Sequence, residues 1–233
     1  GCGGLCGCGV MGSCVEGLCV CNGVPDCTNR ACGDDGCGGS CGDCAAGLSC
    51  ARNDAGAWCA RAPAAGEVAP SEIMSNGGDI CGKIDWFELT NLADVPVDLE
   101  GCTVGDDSAT GTHMFSGALV IPAGGQIVIA GADMAGVTED YVTSKPNLNQ
   151  SNERLWLECP DGAGGTTSLF EVWYGTGNAG DLPGTAKGVS IQVCPDSLPT
   201  PAALSDYLAG ANWQLTAAAA AGCGDDLGTP GMP

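Results

Sequence analysis

The sequence predicts an all-β fold, a sandwich or a barrel, preceded by a small, disulfide-rich and mostly irregular module. Three observations carry that prediction. Thirteen of the first 59 residues are cysteine. Downstream, short apolar runs alternate with Gly, Pro and Asp turn signals at strand spacing. No stretch of useful length shows a helical period.

The first module, residues 1–60, holds Cys2, Cys6, Cys8, Cys14, Cys19, Cys21, Cys27, Cys32, Cys37, Cys41, Cys44, Cys50 and Cys59. Between them lie mostly glycine, small polar residues and acids, too little apolar surface to offset the entropy of ordering the chain. Cross-links or metal must hold such a segment. C-x-C at Cys6/Cys8 and Cys19/Cys21 and C-x-x-C at Cys41/Cys44 also occur in zinc and iron–sulfur sites. Thiolate clusters, however, usually come with many lysines and few Gly-rich turns, so disulfides and an oxidising compartment are expected. Cys41-Gly-Asp-Cys44 does not open a helix after a strand, which argues against redox catalysis. The run CGDDGCGGSCGDC (32–44) reads as nearly all turn.

Residues 61–70, RAPAAGEVAP, read as a linker, and residues 71–233 as the sandwich. SEIM (71–74) is its first strand. IDWFELTNL (84–92) alternates, with Ile84, Trp86, Glu88 and Thr90 opposite Asp85, Phe87, Leu89 and Asn91. VPVDLEGCTVGDD, THMFS, ALVIP, QIVIAG, RLWLEC, LFEVWYG, GVSIQVC and NWQLTA follow as strands. Turns at Asp106-Asp107, Pro122-Ala-Gly-Gly, Cys159-Pro-Asp-Gly and Cys194-Pro-Asp separate them. Residues 201–208 have room for a brief helical turn. The sandwich carries Cys81, Cys102, Cys159, Cys194 and Cys223. Thirteen upstream and five downstream are both odd, so complete pairing within one chain requires a bridge between the parts. If LFEVWYG pairs between RLWLEC and GVSIQVC, those two run parallel and a Cys159–Cys194 bond is expected.

Twenty-eight acids against seven bases give a formal charge of −21. Such a surface repels phosphate backbones and anionic lipid head groups, which argues against nucleic-acid and membrane-surface binding. The longest nearly uncharged stretch, 118–137, is broken by Pro122, Gly124 and Gly125, and no spanning helix is expected. The start at Gly1, without Met or an apolar leader, is read as that of a mature secreted product.

Catalytic chemistry finds little support. His113, the single histidine, sits in a strand-like THMF, and no HExxH is present. The acid pairs Asp34/Asp35, Asp106/Asp107 and Asp225/Asp226 lie in glycine-flanked loops and are weak Ca²⁺ candidates. Solvated turns are the simpler reading of each. Nothing singles out a carboxylate pair for glycoside cleavage. Trp58, Trp86, Trp156, Trp173 and Trp213 are expected mostly in the core, with an exposed sugar-stacking pair as the alternative.

Residues 71–233 resemble the lamin-tail domain through Glu72-Ile73-Met74, Asp85-Trp86-Phe87-Glu88-Leu89 with Asn91, and Pro96-Val97-Asp98-Leu99 with Gly101. Ile121-Pro122-Ala123-Gly124-Gly125, Asn212-Trp213 and Gly228-Thr229-Pro230-Gly231 complete the resemblance. It implies an immunoglobulin-like β-sandwich and brings no catalytic set. Cys102 stands where that family often has tryptophan, and an insertion surrounds Cys81, so cross-links are expected to replace some packing. The first module resembles Gly/Cys-rich repeats of large secreted myxobacterial proteins, mainly through residues 32–44. The resulting expectation is a secreted, non-enzymatic structural or adhesive building block. It would assemble with itself or with other cell-surface components, without a cofactor unless Ca²⁺ binds. The alternative is a carbohydrate-binding or targeting module of a secreted hydrolase.

Overall fold

The computed structural model describes residues 24–53, 55–75, 77, 84–134, 138–178 and 180–216, with the backbone alone of 12–15 and 18–21. Cys2, Cys6, Cys8, Cys81, Cys223, Asp225 and Asp226 lie outside the described residues, as do the side chains of Cys14, Cys19 and Cys21. The chain divides into two units, Gly1–Arg61 and Ala62–Pro233.

The first unit contains two hairpins, β1 (Gly12–Val15) with β2 (Leu18–Cys21) and β3 (Ser49–Asn53) with β4 (Gly56–Ala60). Among the described residues, three bridges are Cys27–Cys41, Cys32–Cys50 and Cys44–Cys59. Cys50 and Cys59 face each other across β3–β4, and each ties the hairpin to a different point of the glycine-rich loop. Cys37 is also disulfide-bonded. The loop itself is built by aspartates. Asp26 accepts the Thr28 N–H, Asp34 that of Gly36, and Asp35 those of Cys37 and Gly39. Positive φ at Gly33, Gly36 and Gly38 is the other half of that turn chemistry.

The second unit is an immunoglobulin-like β-sandwich. Its strands are β5 (Val68–Met74), β6 (Trp86–Asn91), β7 (Val97–Asp98), β8 (Thr103–Gly105), β9 (Thr112–Met114), β10 (Val120–Ile121) and β11 (Gln126–Ala130). They continue as β12 (Tyr141–Val142), β13 (Glu153–Pro160), β14 (Thr166–Tyr174), β15 (Ile191–Val193) and β16 (Trp213–Leu215). One sheet has the order β12-β11-β6-β5-β15-β16 and the other β14-β13-β8-β9, with β7–β10 as a separate short pair. The helical turn expected over 201–208 is α1 (Leu204–Tyr207).

Ile73, Phe87, Leu89, Ile129 and Ile191 from the first sheet meet Val104, Leu155, Leu157, Phe170 and Val172 from the second in one buried core. The alternation of β6 is as the sequence indicates, but both of its faces are covered. Trp86 packs with Met74, Val128 and Met134 on the far side. Asn91, on the same face as Phe87 and Leu89, is fully buried and fully used. Its amide nitrogen donates to the carbonyls of Val95, Ile121 and Pro122, and its oxygen accepts the Ala93 N–H. One side chain thus fixes the exit of β6 against the β10–β11 turn.

Three expectations need correction. The first sandwich strand begins at Val68, inside the expected linker, and its pairing with β6 slips between Pro70 and Glu72. Pro70 has no N–H to give the ladder, so a bulge there is the natural solution. Second, the stretch 95–107 is two strands, because Gly101 turns the chain at φ 79°. Third, Cys159 bonds Cys102, and Cys194 is a free, half-buried thiol. Strand β13 lies between β14 and β8, whereas β15 belongs to the other sheet between β5 and β16. The register that pairs Leu157 with Val104 and Glu158 with Thr103 sets Cys159 opposite Cys102 at the next step. Both are nearly inaccessible within the core, so a cross-link does take up core space at Cys102.

Candidate functional site at the loop end of the sandwich

Strand β8 ends, β13 begins and β14 ends on one side of the second sheet, so three loops gather there. They comprise residues 106–111, residues 143–152 and the segment following Tyr174. Functional groups concentrate on such loops because a rigid sheet positions them.

The first feature is a set of buried carboxylates. Asp106 and Glu153 are 3% and 2% exposed. Asp106 Oδ1 accepts the Ser108 N–H and hydroxyl, both at 2.7 Å, and Oδ2 accepts the Asn147 N–H at 3.0 Å. Glu153 accepts the N–H groups of Asp107 at 3.0 Å, Arg154 at 2.9 Å and Asn149 at 3.2 Å. Asp85 accepts the Leu148 N–H at 3.0 Å. The three acids clamp residues 147–149 by their backbone, a charge-assisted arrangement that fixes the loop. A cavity of about 200 Å³ opens beside them, with Asp107, Lys145 and Asn147 on its wall.

Tyr174 faces Glu153 across β13–β14 and is completely buried. Its hydroxyl lies near Ser75 but completes no hydrogen bond. Burial first, and then the carboxylates of Glu153, Asp85 and Asp106, push its ionisation far above the usual phenol range.

The second feature is aromatic. On the outer face of β13–β14 the Arg154 guanidinium lies 5.9 Å from the ring centres of both Trp156 and Trp173 and 3.7 Å from the Glu171 carboxylate. Trp156 and Trp173 are half-exposed, whereas Trp86 and Trp213 are buried. Trp58, in the first unit, is partly exposed as well, so two of the five tryptophans are in the core and three are partly exposed. Trp156 Nε1 donates to the Asp106 carbonyl at 3.0 Å, which ties the aromatic face to the acid cluster.

The third feature is a cavity of about 490 Å³ between residues 150–151 and the loop after β14, lined by Gln150, Ser151, Asn178, Asp181, Leu182 and Thr185, among others. Sequence reasoning did not find it. Its polar residues are ordinary loop residues, and only the tertiary approach of two loops makes them a wall.

Of the acid pairs marked as Ca²⁺ candidates, Asp34 and Asp35 cap turns of the first unit, Asp106 clamps a loop, and Asp107 stands at the smaller cavity. Among the described residues the one group of three with ligand atoms mutually within 4.8 Å is Cys32, Cys44 and Cys59, whose sulfurs belong to disulfides. Glu72 and Glu88 face each other across β5–β6, but both are buried and bonded to hydroxyl or amide groups. His113 Nε2 lies 3.0 Å from the Tyr141 hydroxyl, beside Phe115. Ser116 Oγ meets that same hydroxyl at 3.3 Å.

Residues 61–172 match the family model described as Lamin Tail Domain, which supports a lamin-tail domain over that part of the chain. The match does not enter the cysteine-rich residues 1–60, and it ends before Trp173 and the loop that walls the larger cavity. No curated protein matches the chain.

Proposed function

We propose that the chain is a secreted, non-enzymatic structural or adhesive protein, a building block of an extracellular matrix or cell surface. Its disulfides, and the absence among the described residues of any helix long and apolar enough to cross a membrane, are compatible with an extracellular protein. The observation that supports the reading best is how the reactive groups are used. The loop-end carboxylates bind backbone N–H groups, and His113 meets a tyrosine hydroxyl. A rigid, cross-linked surface is suited to contact rather than turnover.

Assembly with copies of itself belongs to this proposal, as does attachment to other surface components. Strand edges give such assembly limited room. The edge strands β9, β12 and β16 are two or three residues long. The long edge strand β14 is bulged opposite Leu157/Glu158, and Leu182 bridges to it at Tyr174. Faces and loops are therefore the contact surfaces, and a charge of −21 calls for screening, a role proposed here for Ca²⁺. The half-exposed Trp156 and Trp173 favour a second reading, a carbohydrate-binding or targeting module.

Light scattering on the oxidised chain with Ca²⁺ and with chelator, together with retention on insoluble surface material and a hydrolase screen, tests the proposal. Polymers or retention without turnover are expected. A monodisperse monomer that no surface retains, or copurifying turnover, overturns it.

A further inference from the structure

We propose that the cavity between residues 150–151 and the loop after β14 is a binding site for a neutral saccharide. The inference rests on the contact function above and names its ligand class.

The site is preformed by glycine. Gly175 has φ 66°, and a Cβ there would fall 2.5 Å from Ser151 Cα. A Cβ on Gly184 would fall 3.1 Å from the Gln150 carbonyl oxygen and 3.3 Å from Gly175 Cα. The walls therefore approach as closely as bare backbone allows. They are tied by Gly175 N–H to the Leu182 carbonyl at 3.0 Å and by Leu182 N–H to the Trp173 carbonyl at 2.9 Å.

The lining has hydrogen-bonding capacity left over. Among the described residues the Gln150 carboxamide and Ser151 hydroxyl have no hydrogen-bond partner. The Asp181 carboxylate uses one oxygen on the Thr176 hydroxyl, leaving the other open. Asn178 donates to Thr176 at 3.0 Å and keeps its amide oxygen. Carboxylate, carboxamide and hydroxyl are complementary to sugar hydroxyls, which both donate and accept. A cavity of about 490 Å³ accommodates a sugar ring or two, within the range of small-ligand sites, while its polarity is wrong for an apolar ligand.

Charge selects a neutral sugar. The lining has no cation, Asp181 is acidic, and the chain carries −21, so phosphorylated, sulfated or uronic sugars are repelled.

Calorimetric titration of the oxidised full chain with cellohexaose, mannohexaose, maltohexaose and chitohexaose tests the site, with oligogalacturonate as the charged control. At least one neutral hexaose should bind and the control should not. The double variant Gln150→Ala/Asn178→Ala should weaken binding at least tenfold without moving the thermal midpoint. Binding by none of the neutral hexaoses overturns the inference, as does a double variant that binds like the parent. If no neutral hexaose binds while the chain still polymerises or is retained on surface material, the site inference fails and the adhesive reading stands. If a hexaose binds and is cleaved, the site stands and the non-enzymatic reading fails.

Discussion

The indole of Trp156 lies across the bare Cα of Gly105, its partner in the β8–β13 ladder. A Cβ at Gly105 would come within 2.3 Å of Cζ2 and 2.4 Å of Cε2. A rigid ring cannot give way as a flexible chain end would, so Gly105→Ala must tilt the indole and break its bond to the Asp106 carbonyl. Overpacking costs about 1–3 kcal/mol and the lost hydrogen bond about 1 kcal/mol. Gly105→Ala should lower the urea midpoint by the equivalent of about 2–4 kcal/mol and shift the tryptophan emission. An unchanged midpoint would show that the indole does not rest on Gly105.

Tyr174→Phe should behave in the opposite way to most core substitutions. The hydroxyl is buried without a completed hydrogen bond and is surrounded by Glu153, Asp85 and Asp106. Removing an unsatisfied polar group without changing the ring is nearly neutral or stabilising. Equilibrium unfolding should place the variant within about 1 kcal/mol of the parent or above it. A loss of more than about 2 kcal/mol would mean that the hydroxyl is bonded in solution.

Much of the fold was legible because strand signals are local. The apolar runs QIVIAG, RLWLEC and LFEVWYG are bounded by turn residues, and they appear within β11, β13 and β14. The disulfide partner of Cys159 was not legible, because it depends on which sheet β15 joins, and no local pattern records that. Strand β12 is two residues pairing parallel to β11, too short for any periodicity. Asp106 could be marked from its loop, but Glu153 and Asp85, which share its task, lie in or beside strands elsewhere and meet it only after folding.

Graded reduction should separate the two units. In the chain-entropy model a bridge spanning 14, 15 or 18 residues contributes about 3 kcal/mol, and the 57-residue Cys102–Cys159 span about 4 kcal/mol. Access differs more than strain-free energy does, since Cys27 is exposed while Cys102 and Cys159 are buried. Under mild dithiothreitol, differential alkylation should find Cys27 and Cys41 modified first, with Cys102 and Cys159 protected and the β circular dichroism of the sandwich retained. The free, half-buried Cys194 should be alkylated without reductant, once transient opening exposes it. Loss of all bridges together would contradict the independence of the sandwich.

The turn joining β13 to β14 should carry a measurable acid dependence. Asp161 Oδ1 accepts the N–H groups of Ala163 at 2.8 Å and Gly165 at 2.9 Å, while Gly162 and Gly164 take positive φ. These two N–H groups favour the ionised carboxylate and hold its ionisation below the ordinary value of 3.8. A group lowered on folding stabilises the fold above its unfolded value and loses that contribution as pH falls through its folded value. Asp161→Asn keeps the shape and removes the charge. The variant should therefore be less stable than the parent at pH 7, should converge on it as pH falls below 3.8, and should match it near the acid limit. Urea midpoints of both proteins across that range give the answer. A difference that stays constant with pH would assign the turn's stability to shape alone and remove the charge from the account.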